Sequence, residues 1–192
     1  MNTETAKGNK KKSKRFKTID LAYIGIFAAL ITVCSWISIP LPTVPITLQT
    51  MGVCIAAGLL GTKRGTLTVI VYILLGLIGV PVFAGFSSGI GVLAGATGGY
   101  IIGFIFTALI VGIMLKLLGK KVWVYILSMI IGIAVCYAFG TAWFMIYNNN
   151  KGDAVSLVMA LGWCVTPFII PDLVKIAVAA VLCRRLNKYV KN

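Results

Sequence analysis

The chain has 192 residues, 59% of them hydrophobic and 11% charged, with a mean hydropathy of +1.00. A soluble domain carries roughly 25% charged residues and roughly 45–50% apolar ones, so a soluble fold has too little polar surface here to cover its core. Disorder is excluded too, because it requires low hydrophobicity. The composition is that of an all-α integral membrane protein. Eighteen Lys+Arg against four Asp+Glu give a formal charge of +14, and the placement of those charges points to a membrane surface, with no nucleic-acid partner.

Residues 1–18 read as a basic cytoplasmic tail, carrying Lys7, Lys10, Lys11, Lys12, Lys14, Arg15 and Lys17 beside anionic lipid headgroups. Residues 19–192 read as a six-helix membrane domain. A span needs about 20 mostly apolar residues. Leu21–Ile39 is the first, ending at Pro40-Leu41-Pro42, and no small-residue cleavage pattern makes it a signal peptide. Val44–Gly61 is the second, stopped by Lys63 and Arg64. The charge-free stretch from Gly65 to Leu115 is too long for one span. It divides at Gly79-Val80-Pro81 and the glycine-rich Gly85–Gly99 into spans over 65–80 and 98–115. Val122–Tyr147 is the fifth, and Pro171–Arg184 the sixth, after an apolar segment from Ala154 to Pro171.

With the amino terminus inside, the inner segments hold the tail's basic residues, Lys63, Arg64, Lys116, Lys120, Lys121, Arg184, Arg185, Lys188 and Lys191. Only Lys151 falls outside and Lys175 within a span. This bias places both termini in the cytoplasm.

The outer connections around Pro40–Pro45, Pro81–Thr97 and Ala154–Pro171 are apolar and rich in Gly and Pro. Irregular apolar backbone at membrane depth survives only where it packs on protein or lines a cavity. These loops are therefore either lids capping a substrate pocket or re-entrant packing elements. Trp36, Trp143 and Trp163 lie toward the outer side, as interfacial anchors or as rings that stack on a ligand, and Trp123 toward the inner, as an interfacial anchor.

Asp172 is the acid that stands apart, embedded in Ile169-Ile170-Pro171-Asp172-Leu173-Val174-Lys175. Three residues apart, Asp172 and Lys175 share a helix face. Intramembrane charges face the protein interior and pair, so the two form either a structural pair or a polar binding site, with Asp172 near a helix start after Pro171. Thr47, Gln49, Thr97 and Tyr100 lie at the same level. The five cysteines show no CxxC spacing and histidine is absent, which removes Cys–His nucleophilic pairs and zinc sites of usual spacing. The cysteines read as small buried residues. No metal, cofactor or enzymatic activity is expected, and no phosphate-cradling G-x-x-x-x-G-K-[ST] occurs. Gly25 and Ala29 in span one, and Gly99 and Gly103 in span four, permit close helix contacts. The first pair is a candidate partner interface, although internal packing is equally consistent.

Val44-Pro45-Ile46-Thr47-Leu48-Gln49-Thr50, Ala57–Gly65, Gly79-Val80-Pro81-Val82-Phe83-Ala84-Gly85, Thr97-Gly98-Gly99-Tyr100 and Pro167–Lys175 follow in order. This series resembles the BioY family, the biotin-specific S component of energy-coupling factor (ECF) transporters. The resemblance implies six helices and biotin bound near the outer face, with Asp172, Lys175, Thr47, Gln49, Phe83, Thr97 and Tyr100 as substrate-binding candidates. It also implies a complex in the cell membrane with a transmembrane coupling subunit and two ATPases. An S component for another vitamin, or a stand-alone biotin carrier, is the alternative. Ala96 stands where the family commonly has proline, and Val92 lies where some members carry arginine.

The topology is open to direct test. Single cysteines at positions 63, 116 and 191, in a background lacking the native ones, should resist an impermeant thiol reagent on intact cells. A cysteine at position 149 should be labelled. Labelling at 63 or 116 with protection at 149 overturns the orientation.

Overall fold

A helix starts where its first N–H groups find acceptors, and Asp20 provides one for α1 (Thr18–Trp36): its carboxylate accepts from the Lys17 N–H at 2.9 Å. In this computed structural model, which describes residues 17–41 and 44–190, the rest of the basic tail lies outside the described residues. After α1 the chain makes two short antiparallel strands, β1 (Ser38–Ile39) and β2 (Ile46–Thr47), with Ser38 opposite Thr47. Next come α2 (Gln49–Leu77), a 3-10 turn at Ala84–Phe86, α3 (Ile90–Leu93), α4 (Gly98–Leu118), α5 (Val122–Asn150), α6 (Leu157–Cys164) and α7 (Thr166–Leu186). The fold is thus helical as expected, with one small β pair that the alternation-free sequence of the first loop does not announce.

Among the described residues, five helices are long and apolar enough to cross a membrane: α1, α2, α4, α5 and α7. Most of the expected second and third spans lies in α2, with residues 44–48 (including β2) and 78–80 outside it, and the helical geometry of α2 is broken at Gly61 (φ +74°, ψ −176°). The chain reverses there. The Gln49 Nε2 donates to the Tyr72 hydroxyl at 2.7 Å, whereas the same residues in a straight helix stand about 35 Å apart. A Cβ on Gly65 would lie 2.8 Å from the Ala57 Cα, so the two arms touch just beyond the turn. Glycine is needed at Gly61 because L side chains rarely adopt that φ.

The last long helix starts earlier than the sequence suggests, at Thr166 and not at Pro171. Pro167 sits at its first positions, where the N–H has no helical partner anyway. Pro171 lies inside the helix and forfeits one backbone bond, which membrane helices tolerate. Asp172 consequently lies in the second turn, too far in for the N-terminal dipole to account for its charge.

The α4 helix packs between α2 and α5, α1 lies on α2, and α7 rests on both α2 and α5. Thr107 Oγ1 donates to the Gly132 carbonyl at 2.9 Å, tying α4 to α5. All five cysteines are buried and unpaired, and burial pushes the Cys164 thiol of α6 above its ordinary pKa. Gly99 and Gly103 are used internally, against Trp143 and Cys136, while Gly25 meets nothing within 4 Å and Ala29 is exposed.

At Gly112 a Cβ would stand 2.4 Å from the Thr62 Cα, against backbone that has no room to yield. Gly112→Ala is expected to destabilise the protein by about 1–3 kcal/mol. Gly25→Ala, in open space and with better helix propensity, should leave the unfolding midpoint unchanged or higher. Thermal unfolding of both variants in detergent checks the contrast.

Candidate functional site

At one end of the bundle the connection between α2 and α4 is held by side chains that reach out of the helices to its carbonyls. Ser35 of α1 and Tyr72 of α2 both donate to the Val82 carbonyl. Trp36 Nε1 donates to the Pro81 carbonyl at 2.9 Å, and its ring stacks on Phe86 with centroids 4.9 Å apart. From α5, Trp143 Nε1 reaches the Gly95 carbonyl at 3.0 Å. The tryptophans thus anchor loops. Their indole N–H groups at the ends of two spans were the available signal, but the acceptors lie 45 and 48 residues away in the chain.

Phe83 locks the same loop from below. Its ring lies over Gly76, where an added Cβ would meet the Phe83 Cζ at 2.1 Å. It also meets Tyr72 edge-on at 5.6 Å.

These loops wall a cavity of about 350 Å³, within the size range of small-molecule sites. Four of the seven candidate residues border it: Gln49, Phe83, Thr97 and Tyr100. Val44 and Pro45 of the first loop, Ser87, and Val92 complete much of the wall. Among the described residues lining it none is charged. Tyr100 is oriented by Thr141, whose hydroxyl lies 3.1 Å from its own. Gln49 is oriented by Tyr72.

Thr47, Asp172 and Lys175 are not among the lining residues. The Thr47 hydroxyl instead accepts from the Gln49 N–H at 3.2 Å, at the entry to α2. Asp172 and Lys175 are 3% and 6% exposed and form an ion pair of 2.7 Å between Oδ1 and Nζ. The shared helix face read from their spacing is therefore real. Asp172 Oδ1 also accepts from the Thr50 hydroxyl at 3.1 Å, and Oδ2 accepts from the Tyr137 hydroxyl. Thr50 and Tyr137 were not singled out from the sequence. Thr50 follows Gln49 directly, whereas nothing local marks Tyr137 as the acid's partner. A carboxylate offers about four acceptor positions. Three are used, and one remains for a further donor.

At the opposite end a second acid is buried. Asp20 is 5% exposed and pairs with Arg64 Nη2 at 2.9 Å. From the sequence it reads only as an inner-edge residue.

Fold and site together define a multi-pass helical membrane protein with a loop-walled pocket at one end whose described lining residues carry no charge. The BioY family profile matches residues 8–192, and the chain belongs to the BioY family. It is 43% identical to the "Biotin transporter BioY" of Thermotoga maritima, over 85% of this chain and 93% of that one. It is 36% identical to the protein of the same description from Rhodobacter capsulatus, covering 88% and 94%. The fold is similar, at a TM-score of 0.80 and 30% identity, to the crystal structure at 2.1 Å of the S-component for biotin from an ECF-type ABC transporter. That similarity covers 91% of this chain and 95% of the other. The family comprises transporter components and not enzymes.

Breaking a buried pair by removing one partner typically costs about 3–5 kcal/mol, because the other charge stays buried. Lys175→Met should therefore lower the thermal midpoint more than the double variant Asp172→Asn/Lys175→Met does. Equal losses in the single and double variants would show that Asp172 is satisfied by Thr50 and Tyr137 alone.

Proposed function

We propose that this protein is the biotin-binding S component of an ECF-type vitamin uptake transporter, taking biotin at the outer face for delivery inward. The observation that carries the reading is the cavity of about 350 Å³, uncharged among the described lining residues, under the pinned connection between α2 and α4, in a chain of the BioY family. Biotin's thioether ring suits the apolar walls of Val44, Phe83 and Val92. Its ureido group has two donors and one acceptor, which match Gln49, Thr97 and Tyr100 at the rim and the unused acceptor position on Asp172. Lys175 holds the carboxylate of Asp172 in place and stands ready for the ureido oxygen or biotin's own carboxylate. Thr47 acts by fixing the backbone from which Gln49 projects.

The two arms of α2 on either side of Gly61 cross the membrane separately, which brings the spans to six and both termini to the cytoplasm. The support is the reversal at Gly61 together with the gathering of Lys63, Lys116 and Lys120 at the end opposite the cavity. A transmembrane coupling subunit and two ATPases supply the energy, since this sequence has no phosphate-binding loop of its own. The exposed face of α1 around Gly25 and Ala29 receives the coupling subunit, because small residues there let another helix approach closely.

Biotin titration of the purified protein tests the reading. A hydrogen bond to a charged group is worth roughly 1.5–3 kcal/mol, so Asp172→Asn and Lys175→Met should each weaken binding by roughly 10- to 150-fold. The folded double variant should bind no better than either single one. Near-native affinity in the double variant would make the pair architectural and remove it from the site.

A further inference from the structure

At the end of the bundle opposite the loop-walled cavity lies a larger groove, of about 600 Å³. Its floor forms where α4 presses Gly112 onto Thr62 at the α2 turn. One wall is apolar: Ile113 and Leu117 of α4 are 45% and 74% exposed, on the outward side of a helix that crosses the membrane. The rim is basic, with Lys63 from the turn, Lys116 from the last turn of α4, and Lys120 just beyond it. Arg64 also lines the groove, but Asp20 already neutralises it. Lys120 Nζ reaches the Asn187 Oδ1 at 2.7 Å, a neutral acceptor that leaves its charge uncompensated. Among the described lining residues there is no acid.

Several cations around a concavity, beside an apolar wall at the border between span and water, are complementary to a molecule that is anionic at one end and hydrocarbon at the other. We propose that this groove binds an anionic phospholipid, with its phosphate among Lys63, Lys116 and Lys120 and an acyl chain along Ile113 and Leu117. Basic pockets between membrane helices on the cytoplasmic side suit such headgroups, and on the orientation proposed above the lipid belongs to the cytoplasmic leaflet. The apolar wall favours a lipid over a soluble anion. Inorganic phosphate would gain the charges but leave Ile113 and Leu117 uncovered.

The test uses the full-length protein in detergent, titrated with phosphatidylglycerol, with phosphatidylcholine of the same chains, and with inorganic phosphate. Native mass spectrometry reads the bound fraction. Phosphatidylglycerol should bind more tightly than phosphatidylcholine, and inorganic phosphate should not displace it. Each lysine near an anionic lipid contributes about a fivefold factor, so K63Q/K116Q/K120Q should weaken phosphatidylglycerol binding by roughly 100-fold. R184Q/R185Q/K188Q removes the same number of charges from a second basic surface and should change binding little. Equal losses in the two triple variants, equal binding of the two lipids, or displacement by inorganic phosphate would each overturn the proposal. Retained affinity in the groove variant would overturn it as well, and would assign the groove to another partner. The single variants K63Q and K116Q carry the test should the triple variant lose its thermal transition. Biotin titration of the groove variants, expected to be unchanged, is an independent readout. A failed biotin reading is thereby distinguished from a failed lipid site.

Discussion

A carboxylate buried in an apolar bundle must be met by donors, and the arrangement of three helices follows from how Asp172 is met. Thr50 comes from the first arm of α2, Tyr137 from α5 and Lys175 from the acid's own helix, α7. Leaving an ionised group unpaired in such surroundings costs far more than a typical packing contact yields. The three elements therefore keep a common register at this level. Thr50 is the immediate neighbour of Gln49, so the network that satisfies the acid also fixes the side chain that borders the cavity. Tyr72, reached by Gln49, in turn donates to the loop at Val82. One electrostatic requirement is thereby transmitted from α7 through α2 to the cavity wall.

Glycine supplies the second constraint. Lipid gives little hydrophobic incentive for one apolar helix to bury another, so association depends on close approach and van der Waals contact. Tyr100 lies flat over Gly140, where a Cβ would come within 2.2 Å of its ring. That contact directs its hydroxyl toward Thr141. Gly58 does the same for Cys183, 2.7 Å from where a Cβ would stand, and so seats α7 on α2. Among the cavity's polar groups, Tyr100 is thus aimed by a neighbour without a side chain.

Much of this is legible in the sequence because membrane spans have a strong compositional signal, and charges within them are rare enough to notice. The Asp172–Lys175 pair follows from a spacing of three, and the irregular connections from apolar stretches interrupted by Gly and Pro. What escapes is what depends on partners distant in the chain. Tyr137 looks like any aromatic in a span until α5 is placed against α7. Asp20 looks like an edge residue until the reversal at Gly61 brings Arg64 to it. The sequence suggests too late a start for α7 because Pro171 reads as a helix boundary, whereas Pro167 one turn earlier occupies the position where proline is tolerated. The reversal itself shows in the sequence as a stop at Lys63 and Arg64, although helical backbone runs across it apart from Gly61.

The way the loops are held bears on how an apolar cap persists at the end of a membrane bundle. Irregular backbone there has carbonyls that neither lipid nor helix geometry satisfies. Those of Pro81, Val82 and Gly95 are met by side chains of α1, α2 and α5, so the connection between α2 and α4 is bonded to three helices. None of these bonds involves a charge, and the loops bring no fixed ion to the described cavity lining. The charged groups are kept apart, Asp172 with Lys175 outside the described cavity lining and Asp20 with Arg64 at the far end. This separation leaves the described cavity lining with shape and neutral hydrogen-bonding groups alone. A charged ligand group would find its counter-ion only where Lys175 or solvent can reach it.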